Sequence, residues 1–471
     1  MMFTKLSVRI IFLFVISLIV LVLPNLIRNS AFYIGEDSYF YQRISGSINK
    51  YDELSYSGRD FTYPMAQPLI FFTLHKFMPE YFIINIIPII LGIISLILFY
   101  LILKELYAEP NVIYLSLIIL ILSPSFIYIF SSYNYFTFIT LILLSTFYLF
   151  IKKNDILNLI SYILFFIIPF FGYEFSILAL FLILIYCIKQ KQIKKFYVIL
   201  IISFISISFI YFPILSKYGL SQTAKFDRNL IYQSLISDLG GGFGISIFII
   251  FLSFFGISYL WKYKYKYYYI YLSLILFILF IFYFPKFIVY LNFLLSFLSG
   301  FGLINLLRSK WESETIRKLT LWLLILGLIF STITSITEIS KQEPGKNLHD
   351  SLIFLKNYDK SNSVVFSHYS YGIFINSIAD KKNVMDSKFL YSINLNERYQ
   401  DSKTLFYTRS FETAQEIIKK YDIKYILITK KMKEGFVWEE KDEGLLFLLN
   451  SGNIYKNIYN NDEVEIWEVK K

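Results

Sequence analysis

A chain of 471 residues that is 56% hydrophobic and only 17% charged, with a mean hydropathy of +0.57, is excluded from the ordinary soluble class and expected to cross a bilayer several times. Its net charge of +11 would suit a nucleic-acid binder, but the Lys residues cluster between apolar runs, where the positive-inside rule accounts for them, so no nucleic-acid partner is expected. The single cysteine, Cys187, excludes an internal disulfide, and His75, His349 and His368 show no ligand spacing.

In chain order, about eleven apolar runs predict spanning helices, near residues 8–27, 81–103, 112–130, 134–151, 156–170, 172–188, 196–215, 243–261, 267–284, 287–307 and 318–337. The first run follows Lys5 and Arg9 like a signal peptide. It exceeds a signal core of about 7–15 residues and no small-x-small site follows, so a retained helix is expected. Aromatics make up 20% of the chain, part of them expected as interfacial belts.

With a cytoplasmic N-terminus, one set of loops carries Lys152 and Lys153, then Lys189, Lys191, Lys194 and Lys195, then Lys262, Lys264 and Lys266, then Arg308, Lys310, Arg317 and Lys318. The opposite turns, near Ser131 and Phe171, carry none. That bias sets the orientation, and an odd number of helices places the C-terminal part extracytoplasmic. The fold class expected is a polytopic α-helical membrane protein with a C-terminal α/β domain. Its membrane domain would cover 1–340, with long external loops at 28–80 and 216–241, and its outer domain 341–471. In the latter, Ser363–Phe366 and Tyr425–Thr429 read as buried strands and Thr413–Tyr421 as an amphipathic helix. No glycine-rich phosphate loop and no inverted repeat is visible.

The most informative stretch is Gly35-Glu36-Asp37-Ser38-Tyr39-Phe40-Tyr41-Gln42-Arg43, directly after the first apolar run. Carboxylates at a membrane edge can bind a divalent metal or act as a general base. They also suit the first turn of a helix over Ser38–Ile48. Arg43 can pair locally or bind phosphate. Both readings of each residue stand at this point.

A first helix, then Gly-x-Asp-x-Tyr-x-x-x-Arg, then a long external loop is similar to the catalytic subunit of archaeal and eukaryotic oligosaccharyltransferase. In that family an Asp-Pro-Tyr-x-x-x-Arg stretch opens the first external loop and its Asp belongs to the active site. Asp37, Tyr39 and Arg43 match it, with Ser38 in place of Pro. More broadly the chain looks like a GT-C glycosyltransferase, which uses polyprenyl-phosphate-linked sugars. Pro285-Lys286-Phe287 resembles the family's Arg-Phe segment, with Lys286 at the position that contacts the lipid-linked phosphate. Snorkelling to the interface is its other reading. His368-Tyr369-Ser370-Tyr371-Gly372 aligns with Trp-Trp-Asp-Tyr-Gly, which reads the acceptor sequon; only Tyr371 and Gly372 match. The family's second acidic motif is missing from Ser131-Ser132-Tyr133-Asn134-Tyr135, and Glu174 is the substitute. Asp238, before Gly240-Gly241-Gly242, lies where the family has a catalytic-loop Glu, and Asp60 is a further first-loop carboxylate.

The resemblance implies a membrane glycosyltransferase with a polyprenyl-phosphate-linked donor and a protein or glycan acceptor, working at the outer face of the cell membrane. Asp37 would be the main catalytic carboxylate or would hold a divalent cation (Mg or Mn), with Glu36, Glu174 or Asp238 assisting. Arg43 and Lys286 would bind donor phosphate, and Tyr371 and Gly372 would lie on the acceptor side. The alternatives are an oligosaccharyltransferase acting on protein Asn, a transporter or flippase of lipid-linked saccharide, and a non-catalytic assembly protein.

Overall fold

In hydrocarbon every backbone N–H and C=O has to find its partner within the chain, so long apolar runs become helices. The computed structural model describes residues 2–29, 32–46, 51–60, 64–106, 109–152, 154–218, 236, 244–389, 392, 394–440, 442–450 and 454–470. It divides into two units, Met1–Asn29, Leu74–Ile214 and Lys225–Gln342 in the first, and Ser30–Thr73, Leu215–Ala224 and Glu343–Lys471 in the second.

The first unit is helical, and the chain is a multi-pass membrane protein. Among the described residues seven helices are long and apolar enough to cross a bilayer: Ile11–Arg28, Phe82–Leu106, Tyr173–Gln190, Ile193–Lys217, Lys264–Tyr283, Pro285–Arg308 and Glu314–Ser340. Thr137–Ile151, Asp155–Phe170 and Ile247–Trp261 are shorter apolar helices. The run expected near 112–130 is not straight. Pro110–Ile121 and Pro124–Phe130 meet at a 64° bend, because Pro124 removes an N–H and disfavours helical backbone at Ser123. Ser123 Oγ then caps the second piece, accepting from the Phe126 N–H at 3.4 Å.

Helices Ile247–Trp261 and Pro285–Arg308 cross with their backbones in contact. A Cβ on Gly302 would stand 2.0 Å from the Leu252 carbonyl oxygen, and one on Gly256 would stand 1.9 Å from that of Leu298. Small residues allow this approach, which is how helices gain packing in lipid. At one end of the unit, cations gather on residues 105–111. Lys152 pairs with Glu105 at 2.5 Å, Arg308 with Glu109, and Arg9 reaches Asn111 at 3.4 Å.

The second unit opens with helix Glu36–Gly46 and a two-stranded antiparallel ribbon, β1 (Tyr51–Asp52) with β2 (Arg59–Asp60). A five-stranded sheet follows from β3 (Val364–Phe366), β4 (Lys382–Asn383), β5 (Ile423–Thr429), β6 (Tyr455–Asn460) and β7 (Val464–Val469), in the order β4-β3-β5-β7-β6. β3 is parallel to β4 and β5, while β7 is antiparallel to β5 and β6. Parallel neighbours need crossovers. Gly372–Ile378 supplies one, and Leu395–Tyr407 with Phe411–Lys420 lies in the chain leading to β5. β5 is buried at every position except half-exposed Lys424. Of the second long loop, 219–235 and 237–243, with Asp238, lie outside the described residues.

Candidate functional site

In the second unit, Glu36 and Asp37 occupy the first helical turn, where unpaired N–H groups and the helix dipole favour acidic side chains. Tyr39, Phe40 and Tyr41, buried on the same helix, anchor it. Both carboxylates also reach a segment some 350 residues later. Ser387 Oγ donates to Glu36 Oε2 at 2.7 Å. The Lys388 ammonium donates to Asp37 Oδ1 at 2.5 Å and stands 3.8 Å from Glu36 Oε1.

Arg43, on the last turn, makes a fork with Asp52: Nη1 to Oδ1 at 2.7 Å and Nη2 to Oδ2 at 2.9 Å. This is the local ion pair left open on the sequence alone. Burial pushes the Asp52 carboxyl up, but the Arg43 hydrogen bond and charge, with the charge of Arg59 and the Ser55 N–H, bring it below its ordinary range.

The turn between β1 and β2 grips the segment that carries Lys388. Tyr56 N–H donates to Asn383 Oδ1 at 2.7 Å and its hydroxyl to the Asp386 carbonyl at 2.8 Å. Ser55 Oγ donates to Asp386 Oδ2 at 2.5 Å, and Arg59 Nη1 to the Lys388 carbonyl at 2.5 Å. Asp386, Ser387 and Lys388 did not stand out in the sequence. Their signal was a short charged run, Asp386-Ser387-Lys388, between buried Val384-Met385 and half-buried Phe389.

Tyr371 and Gly372 sit where β3 turns into helix Gly372–Ile378. Tyr371 is buried, its hydroxyl accepting from Thr429 Oγ1 at 3.0 Å. Gly372 is pressed against the same 385–386 segment, since a Cβ there would lie 2.2 Å from the Met385 carbonyl oxygen. The more accessible part of the turn is His368-Tyr369-Ser370. Burial pushes the His368 imidazole down to about 4.

In the first unit, Glu174 lies in the first turn of helix Tyr173–Gln190. The Tyr135 hydroxyl donates to its Oε1 at 2.5 Å. Tyr135 comes from the very turn that lacks the expected carboxylate. Lys286 is exposed on the helical turn Pro285–Phe287 that opens the next long helix. Aromatic rings connect these places. Phe175 lies 5.0 Å from Phe287 and 5.1 Å from Tyr135, ring centre to ring centre, so Glu174 and Lys286 are sequence neighbours of two rings in one cluster.

The Asp37 site does not fit a divalent ion as these residues stand. Among the described residues no group of three or more His, Cys, Asp or Glu side chains converges. Mg²⁺ and Mn²⁺ want about six oxygen ligands, whereas the cation against Asp37 is the Lys388 ammonium.

No family model and no curated protein matches this sequence. Solved structures do. The apo oligosaccharyltransferase of Archaeoglobus fulgidus superposes with a TM-score of 0.63 at 13% identity, covering 98% of this chain and 74% of that one. The chain has an oligosaccharyltransferase-like GT-C fold. AglB from A. fulgidus, in complex with an inhibitory peptide and a dolichol-phosphate, gives 0.62 at 14% identity over 90% and 70% of the two chains. ArnT from Cupriavidus metallidurans, in the apo state, gives 0.55 at 8% identity and covers 98% of both. The GT-C-like fold thus spans nearly the whole chain.

Proposed function

We propose that this chain is a membrane glycosyltransferase that moves a sugar or glycan from a polyprenyl-phosphate-linked donor to a protein or glycan acceptor at the extracytoplasmic face. The observation that carries the proposal is the placing of Asp37 on a helix opened by a Gly-x-Asp-x-Tyr-x-x-x-Arg stretch, in a chain with a GT-C fold. One of the neighbours sharing that fold was solved with a dolichol-phosphate.

In this reading the acceptor hydroxyl or amide attacks the anomeric carbon. The new bond to carbon forms as the carbon–oxygen bond to phosphate breaks, and phosphate leaves with the electron pair. Asp37 takes the acceptor proton, and Glu36 keeps the local charge negative. Glu174 is the further carboxylate, with Asp238 as the second-loop candidate. Exposed Lys286 neutralises donor phosphate. Arg43, held by Asp52, chiefly fixes the shape of the segment that carries Asp37. Tyr371 and Gly372 support the acceptor side from beneath the His368–Ser370 turn. An apolar cavity of about 180 Å³ in the first unit, lined by Phe99, Leu143, Leu178, Phe277, Tyr290 and Phe293 among others, suits part of a prenyl chain. The seven long helices, the bent pair and the three shorter apolar helices would make eleven crossings, with residues 341–471 outside.

The test is transfer of radiolabelled sugar by the full chain in nanodiscs, from a polyprenyl-phosphate-sugar pool to an acceptor fraction. Donor-dependent incorporation is expected. Movement of intact lipid-linked saccharide across a vesicle, with no bond broken at the anomeric carbon, would make the chain a flippase. Neither outcome would make it an assembly protein.

A further inference from the structure

Lys388 is the most firmly built cation beside the proposed catalytic carboxylate. Its backbone is fixed on both sides: its N–H donates to Asp386 Oδ1 at 2.9 Å, and its carbonyl accepts from Arg59. Asp386 is itself held by Ser55. The side chain is 10% exposed, against 15% for Asp37. Its ammonium lies 5.3 Å from the Phe40 ring centroid, with one carboxylate at hydrogen-bond distance and a second at 3.8 Å.

We infer that Lys388 supplies at Asp37 the positive charge that a divalent cation supplies at a carboxylate cluster, so that transfer by this chain needs no metal. The inference rests on the reading of Asp37 as the base. The chemistry of the donors favours it. An ammonium brings three N–H groups and is satisfied by a few acceptors, which is what Glu36 and Asp37 offer. A divalent ion needs more oxygen ligands at closer range. The ammonium contacts Asp37 through Oδ1, and in this reading the acceptor proton goes to the other oxygen.

The ammonium makes and breaks no covalent bond in the step. The acceptor's bond to the anomeric carbon forms, the bond to phosphate oxygen breaks, the electron pair leaves with phosphate, and the proton goes to the Asp37 carboxylate. Lys388 is therefore a positioning residue. It turns the carboxylate through Oδ1 and holds its charge, and the Asp386–Ser55–Arg59 contacts keep it from swinging away.

The experiment has two arms on the full chain in nanodiscs. The first titrates Mn²⁺ into the resting protein and follows its electron paramagnetic resonance, in wild type and in Asp37→Asn. No saturable binding that depends on Asp37 is expected, and Mn²⁺ bound by wild type and lost in Asp37→Asn would overturn the inference. The second measures transfer with and without EDTA, for wild type, Lys388→Met and Lys388→Arg. Wild type is expected to ignore EDTA. Lys388→Met is expected to lose roughly 10²-fold in kcat in the folded fraction, as for a displaced catalytic group, with an unchanged donor KM and a lowered melting temperature, because Glu36 and Asp37 are left without their cation. Lys388→Arg is expected to recover most of the loss. Loss of wild-type transfer in EDTA, or full activity in Lys388→Met, would overturn it. A fall in melting temperature with no kcat effect in the folded fraction would do the same, since that is a merely structural lysine. If wild type transfers nothing, the glycosyltransferase reading fails and the inference falls with it, whereas transfer that EDTA abolishes overturns the inference alone.

Discussion

The Tyr135 hydroxyl donates to Glu174 Oε1 at 2.5 Å, joining two turns 39 residues apart in sequence. A carboxylate at the mouth of a membrane helix is held in one orientation by a donor from the turn where a second acidic motif was expected. Glu174→Gln keeps an acceptor for Tyr135 and should fold with an unchanged melting temperature. If Glu174 takes part in proton transfer, its kcat falls by about 10²–10⁴-fold. Tyr135→Phe, which removes only the hydrogen bond, should lose less. Unchanged turnover in both would make Glu174 an interfacial residue.

The Arg43–Asp52 fork should matter to stability before it matters to turnover. The side chains are 15% and 3% exposed. Asp52→Asn would leave the guanidinium without its counter-charge, at about 3–5 kcal/mol. The pH dependence follows from the lowered Asp52 carboxyl. A carboxylate whose folded pKa lies below the unfolded value of about 3.9 contributes stability that is present above that value and lost as pH falls through the folded one. Melting curves from pH 7 down to about pH 2 should show an acid loss below about pH 5 in wild type that is shallower in Asp52→Asn. Parallel curves would contradict this.

The contact between helices Ile247–Trp261 and Pro285–Arg308 leaves no room for a side chain at Gly302, 2.0 Å from the Leu252 carbonyl for a built Cβ. Gly302→Ala should cost about 1–3 kcal/mol through overpacking, and Gly302→Leu should abolish the folded bundle. Size-exclusion profile and detergent melting temperature check both. Wild-type behaviour of Gly302→Leu would mean that the helices do not meet there.

Lys286 separates phosphate binding from snorkelling. Lys286→Ala should raise the donor KM roughly tenfold or more, the size expected for a hydrogen bond to a charged group, with kcat little altered, the pattern of uniform binding. Lys286→Arg should stay near wild type. An unchanged KM in Lys286→Ala would leave the lysine at the interface with no donor role.

The membrane part was legible because its signal is local. A run of about twenty apolar residues needs no partner to be recognised, and the helices begin and end within a few residues of the expected runs. The bend inside 110–130 was written in Ser123-Pro124 but hidden by apolar residues on both sides. β5 was readable as a short continuous apolar run, and the helix Phe411–Lys420 from its periodicity. The site was legible only in half. Glu36, Asp37 and Arg43 lie in one stretch that spacing can pick out, and their readings as helix start and local ion pair agree with the positions found. Lys388 is 351 residues from Asp37, and no periodicity links a loop lysine to a helix start so remote. The Tyr135–Glu174 bond has the same character, since each residue alone reads as an interfacial side chain.

The most direct measurement is single-turnover transfer from a radiolabelled polyprenyl-phosphate sugar by wild type and Asp37→Asn, at matched protein and matched melting temperature. The account predicts that Asp37→Asn binds donor as wild type does and transfers at least about 10²-fold more slowly. Equal single-turnover rates in the two proteins would contradict it.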